Sequence, residues 1–142
     1  MSEQNKAQVR RVVDEIYNRG NLGLADELAA SDLLIHTVSG EIRGREAAKQ
    51  YVAALRAGFP DLHFTVEDQV AEGDMVATRW TARGTHTGVF QGIPPTGRQI
   101  RVAGYYIDRI VDGLTAECWT QVDELGMLRQ LGVVGGPEPR PE

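Results

Sequence analysis

Apolar positions change their spacing once along this chain, near Leu62. Before that point the spacing is helical. Val9, Val12, Val13, Ile16 and Tyr17 fall at i, i+3, i+4, i+7 and i+8, one stripe down a helix. Gly20 stops it, and Asn21 can cap a second, short helix carrying Leu24, Ala25 and Leu28. Leu33 to Val38 reads as a short strand. Ala47, Ala48, Tyr51, Val52 and Leu55 draw a third helical stripe, closed by Gly58 and Pro60.

After Leu62 the period is two. Leu62, Phe64 and Val66 alternate with His63, Thr65 and Glu67. Glu72-Gly73-Asp74 is a turn, and Met75 to His86 a long strand. One of its faces carries Val76, Thr78, Trp80, Ala82 and His86; the other carries Ala77, Arg79, Thr81 and Arg83. Gly88 to Gly97, with Pro94-Pro95, is a loop. Arg101 to Val111 is the next strand, Asp112-Gly113 a hairpin turn, and Leu114 to Val122 the return. Gly126 to Leu131 can form a last helical turn. Helices first and an antiparallel meander after is an α+β order. Three N-terminal helices on a strongly curved antiparallel sheet bury all three stripes, and such a cone keeps a ligand cavity at its open end. One domain is expected over residues 1–134. Residues 135–142 hold three prolines in five positions and read as a flexible tail.

Composition narrows the partners. Lys and Arg number 15 against 20 Asp and Glu, a net charge of −5 that repels nucleic acid. No apolar run approaches the roughly 20 residues of a membrane span. The polar start, Met1 to Arg11, lacks the apolar stretch of a signal peptide, so a cytoplasmic protein is expected. The lone Cys118 has no partner for an internal disulfide and reads as an inert buried thiol. The mixed face of Ala77, Arg79 and Thr81 suggests pairing into a homodimer, or a tetramer built from it.

The chemistry available is limited. His36, His63 and His86 are the only histidines, none at metalloprotease spacing, and no cysteine pair exists, so no metal site is expected. No serine-hydrolase elbow and no glycine-rich nucleotide cradle occur either, and no cofactor is expected. Carboxylates, imidazoles and phenols remain. Trp119, Gln121 and Asp123 share one strand face, and Tyr105, Ile107 and Arg109 share one on the neighbour. That acid, indole and cation can line one wall of a cavity, where burial raises a carboxyl toward the range of proton transfer. Spacing alone leaves alternatives at each position. Asp123 is also a natural cap for the turn after it, and Arg109 a natural salt-bridge partner. Trp119 suits a core as well as a ligand platform. His86 can donate to a substrate carbonyl or fix its glycine-flanked turn. His36 can stabilise an enolate or sit satisfied in the core. Tyr17, Tyr51, Trp80, Tyr105 and Trp119 are the aromatic side chains expected to hold a substrate.

Four segments then carry a resemblance. They are Phe59-Pro60-Asp61-Leu62, the stretch Gly84-Thr85-His86-Thr87-Gly88, the loop Gly92-Ile93-Pro94-Pro95-Thr96-Gly97 and the ending from Asp123 to Gly132. Together they resemble the SnoaL-like polyketide cyclase (ester cyclase) family, of the nuclear transport factor 2-like superfamily of cone-shaped α+β barrels. The resemblance covers about Asn5 to Gly132. It implies cofactor-independent acid/base chemistry on an apolar, polyketide-type carbonyl compound, with ring closure by intramolecular aldol addition as in anthracycline precursors. By this resemblance Asp123 falls on the family's acid/base aspartate and Tyr17 on its pocket tyrosine. The cyclases' pocket histidine is Arg109 here. A guanidinium stays charged and cannot be a base, though it can hold an enolate oxygen, a role also open to His86 and His36. The superfamily also implies other activities, namely cofactor-independent hydroxylases, epoxide hydrolases, dehydratases and small-molecule-binding dimeric modules.

Overall fold

The first helical stripe is realised in two pieces. Helix α1 spans Ser2–Arg11 and runs on as a π-helical segment, Val12–Asn18, whose Val13 and Ile16 are buried. π-Segments are rare and frequent at functional sites, and this one carries Tyr17. A 3-10 turn, Leu22–Leu24, leads into the short α2, Ala25–Leu28. Strand β1 (Ala29–Thr37) and β2 (Gly40–Arg43) follow, then α3 (Arg45–Gly58). The strands of the second half are β3 (His63–Glu72), β4 (Met75–Thr85), β5 (Gln99–Val111) and β6 (Leu114–Val122), and α4 (Glu124–Leu131) closes the fold. This computed structural model describes residues 2–134; the expected tail, residues 135–142, lies outside the described residues.

The six strands form one curved, unclosed sheet in the order β2-β1-β6-β5-β4-β3. The α+β architecture expected from the change of period is the one observed. Two details differ. Spacing treats the hairpin partner β2 as connection, because Gly40–Arg43 is too short and polar to show alternation. The sheet is also not wholly antiparallel: β1 pairs β6 in parallel, Ile35 opposite Cys118 and His36 opposite Trp119. Sequence distance hides such a pairing, since the long connection between the two strands is most of the protein.

Burial on β5 alternates without a break from Ile100 to Ile110, so its even-numbered residues face the helices. Pairing sets this choice. Trp80 lies on the inner face of β4 opposite Gly104 of β5, and paired residues share a face. A Cβ at Gly104 would come within 2.6 and 2.9 Å of two Trp80 ring atoms, so only glycine leaves the indole its place. Trp80 packs on Phe64 and Tyr106, with ring centroids 4.8 and 5.4 Å apart.

Candidate active site

A cavity of about 440 Å³ lies between α3, α4 and the inner face of the sheet, within the usual range of small-molecule sites. The inner face supplies Phe64, Trp80, Tyr106 and Thr120; α3 supplies Tyr51 and Leu55; the π-segment supplies Tyr17. Phe90, from the proline loop, closes one side and packs edge-on against Phe59 at 5.2 Å. The wall is mainly aromatic and aliphatic, which suits a flat apolar ligand. Among the described residues, two carboxylates border it, Glu41 and Glu124. Glu41 is engaged, with Arg43 at 2.7 Å and His36 at 3.3 Å. Glu124, the first residue of α4, lies near enough to Tyr51 for its charge to be felt there.

A smaller chamber of about 70 Å³ lies behind this cavity and holds Asp108, Cys118 and Thr115 among aliphatic side chains. Tyr17 and Tyr106 border both spaces, so the pair forms the partition. Their ring centroids are 5.9 Å apart. Burial holds all three cavity phenols protonated. It raises Tyr17 and Tyr106 well above the ordinary range, with smaller pushes from Tyr51, Cys118 and Asp108 on both and from Tyr17 on Tyr106, while a hydrogen bond with Tyr106 pulls Tyr17 back; it takes Tyr51 up to about 12. Burial likewise pushes the Asp108 carboxyl up to about 7, against the pull of the Cys118 thiol placed to hydrogen-bond it. Cys118 is itself pushed well up by burial, which agrees with an inert thiol.

Several residues singled out in the sequence stand elsewhere. Of the five aromatic side chains, Tyr17, Tyr51 and Trp80 line the main cavity. Tyr105 and Trp119 do not. Tyr105, Ile107 and Arg109 are the odd positions of β5 and point away from the helices, and Trp119 and Gln121 share that outer face across the ladder. Alternation identifies the two faces correctly but assigns the cavity to the wrong one. The signal that separates them is present: Arg101 and Arg109 mark the odd face as the wetter, whereas Ile100, Val102 and Ile110 mark the even face as interior. That signal points to Tyr106 and Asp108, which sequence reasoning missed. Glu124 was missed because a position just past a strand end carries no periodicity.

Asp123 is exposed and borders neither space. It is the N-cap of α4, its Oδ1 accepting from the Gly126 amide at 2.9 Å. This is the capping alternative that spacing allows. Because Asn caps as well as Asp, Asp123→Asn is expected to leave the melting temperature nearly unchanged, while Asp123→Ala costs about 1 kcal/mol; thermal unfolding followed by circular dichroism separates the two.

His86 is fully buried but borders neither space. Its Nδ1 accepts from the Thr96 amide at 3.2 Å and its backbone binds Arg98 and Gly97, so it ties the proline loop to the end of β4. The glycine-flanked turn reading is the one its contacts match. His36 is neither in the core nor at the cavity. It lies on the outer face, stacked on Trp119 at 5.3 Å, with Nε2 2.6 Å from Glu117. Arg109 reaches the same Glu117 at 2.7 Å. Arg109, followed by His36, holds the Glu117 carboxyl below its usual range. Three of the expected site residues are thus brought together, but on the outside of the sheet. Among the described residues, no group of three or more potential ligands is placed to hold a metal ion, and no helix is long and apolar enough to cross a membrane.

Helices packed on one curved, unclosed six-strand sheet, with an aromatic cavity between them, give the mixed α+β architecture of the SnoaL-like proteins. The chain belongs to the SnoaL-like polyketide cyclase family, whose sequence model matches residues 7–131. Three solved structures illustrate the likeness. A SnoaL-like polyketide cyclase, so described provisionally, from Jannaschia sp. CCS1 shares 27% identity over 94% of this chain and 95% of its own, with a TM-score of 0.88. IdmH from Streptomyces antibioticus, provisionally described as a polyketide cyclase, shares 38% identity over 92% and 99%, with a TM-score of 0.79. AclR from Streptomyces galilaeus, provisionally described as a hydroxylase, shares 27% identity over 95% and 100%, with a TM-score of 0.84. No curated protein matches the chain.

Proposed function

We propose that the protein is a cofactor-independent enzyme that closes a ring in an apolar, aromatic carbonyl compound by an aldol-type step. The observation that carries this reading is the convergence of Tyr17, Tyr51 and Tyr106, all held protonated, on one apolar cavity. A protonated phenol donates to a carbonyl oxygen and donates more strongly as that oxygen gains negative charge, so the group favours the enolate over the ketone. Glu41 is tied up by Arg43 and His36, whereas Glu124 makes no ion pair among the described residues, and Glu124 acts as the base. It takes a proton from carbon next to the carbonyl. The enolate carbon attacks a second carbonyl of the same molecule, and Glu124 returns the proton to the new alkoxide. Atoms balance, and the product is an isomer of the substrate. The apolar wall excludes water and holds the reacting ends together.

The test is incubation with an aromatic β-ketoester that carries a second carbonyl in reach. A product of unchanged mass supports ring closure. The hydroxylase reading, supported by the likeness to AclR, gives a product that gains an oxygen atom. Binding without conversion is the outcome of a non-catalytic module. The sequence resemblance implies an acid/base role for Asp123, and the same assay decides between it and Glu124. Asp123→Asn is expected to retain turnover within about twofold, because it keeps the cap; loss of turnover in a folded Asp123→Asn variant returns the role to Asp123.

The protein pairs into a homodimer through its outer sheet face. Val70, Ala77, Ile107 and Trp119 stand opposite one another across four strands, and Val70 and Ile107 are 67% and 36% exposed. Tyr105 adjoins this row, and the Asp68–Arg79 ion pair borders it. An apolar stripe edged by charge suits a self-complementary contact. Sedimentation equilibrium is expected to give twice the 15.6 kDa chain mass, and Ile107→Glu to give the single chain.

A further inference from the structure

The chamber behind the cavity contains a carboxyl group that the proposed ring closure does not use. Asp108 is 6% exposed, stands on the inner face of β5, and has no ion pair among the described residues. A carboxylate so placed is costly unless it is paired or takes up a proton. Among the described residues, only Tyr17 and Tyr106 border both its chamber and the main cavity. Both phenols feel its charge, which opposes negative charge on either ring. We propose that Asp108 is a positioning residue: as a neutral acid it lets Tyr17 and Tyr106 support a negative oxygen in the cavity, and as a carboxylate it withdraws that support. The inference rests on the reading of these phenols as donors to an anionic oxygen.

The surroundings leave Asp108 as the group that changes charge there near neutrality. From the π-segment it meets Tyr17 and from β6 Cys118, and both titrate above their ordinary values. Lys49 of α3 borders the chamber, but its ammonium is held by Asp26 at 2.8 Å and Glu46 at 3.0 Å. Helix α1 contributes Val9, and β4 contributes Val76 as a ladder partner. His36 is on the outer face and His86 behind Phe59, so neither borders the chamber. Burial pushes Asp108 itself up to about 7.

The probe is 2-naphthoate, a flat apolar anion whose charge is constant from weakly acidic to weakly basic solution. Its dissociation constant is measured by fluorescence across that range. In the wild type, affinity is expected to fall roughly tenfold as Asp108 ionises, as one added unit charge nearby implies. Asp108→Asn and Asp108→Ser are expected to lose that fall, and Tyr106→Phe to weaken binding at every pH. The wild type supplies a second measure: by reciprocity, bound 2-naphthoate must raise the midpoint of Asp108 ionisation, read from its carboxyl carbon by NMR. An unmoved midpoint, or the same pH dependence with and without the Asp108 carboxyl, overturns the role of Asp108 and leaves the phenol reading standing. Absent binding, or binding indifferent to Tyr106→Phe, overturns the phenol reading and this inference with it.

Discussion

Asp108→Asn is expected to be more stable than the wild type in weakly basic solution and to lose that advantage in acid. The unfolded chain ionises an aspartate at about 4, whereas burial pushes Asp108 up to about 7 in the folded protein. Below the lower value the carboxyl is neutral in both states and affects nothing. Between the two, the unfolded chain ionises and the folded protein does not, so stability falls as pH rises. Above about 7 the loss is complete, at about 4 kcal/mol by linkage. Asn cannot ionise and escapes it. Its amide can carry its own cost in the chamber, but that cost is independent of pH and cancels in the comparison. The difference in melting temperature between variant and wild type should therefore grow by roughly 10 °C from weakly acidic to weakly basic solution. Parallel curves would show that the folded protein does not hold Asp108 as a neutral acid.

Glu124→Gln is expected to remove most turnover and little of the binding. The amide has nearly the same shape as the carboxylate and cannot accept a proton. Loss of a general base costs roughly 10²–10⁴-fold in rate. Binding comes from apolar burial against Phe64, Trp80 and Phe90, which the change does not touch. Tyr106→Phe removes one donor to the developing oxyanion while keeping the ring. Its expected cost is roughly 10²–10³-fold in turnover, softened where Tyr17 and Tyr51 take up the oxygen. Kinetics should show kcat falling with KM held, the signature of an interaction made in the transition state. A Glu124→Gln variant with wild-type turnover places the base elsewhere. A variant that fails to bind substrate gives Glu124 a binding role instead.

Much of the site is legible in the order of residues. Val13, Ile16 and Tyr17 lie on the stripe that spacing draws, and Trp80 lies on the β4 face that reads as apolar. Spacing puts the ends of β6 at Leu114 and Val122, and those are its ends. The turn residues Gly73 and Asp112-Gly113 adopt the positive φ expected of tight turns. The wall residues of β5 and β6 come out one position out of phase, which moves Tyr105, Arg109 and Trp119 from the outside of the sheet to its inside. Slipping by one residue exchanges every side chain between faces, so a small error in phase becomes a complete error in the site.

The order of helices and strands, the turns between them, the family and the absence of a long apolar span follow from the sequence alone, because each depends on neighbours within a few residues or on short motifs. Which face of β5 looks inward was decided by contact, Trp80 lying over Gly104 and Tyr106 packing on Tyr17 from the other end of the chain. The pairing of β1 with β6, the partition of the interior by two phenols and the burial of Asp108 behind them belong to the same level. A period of two defines two faces and treats them alike; only packing against a third element takes one of them out of water.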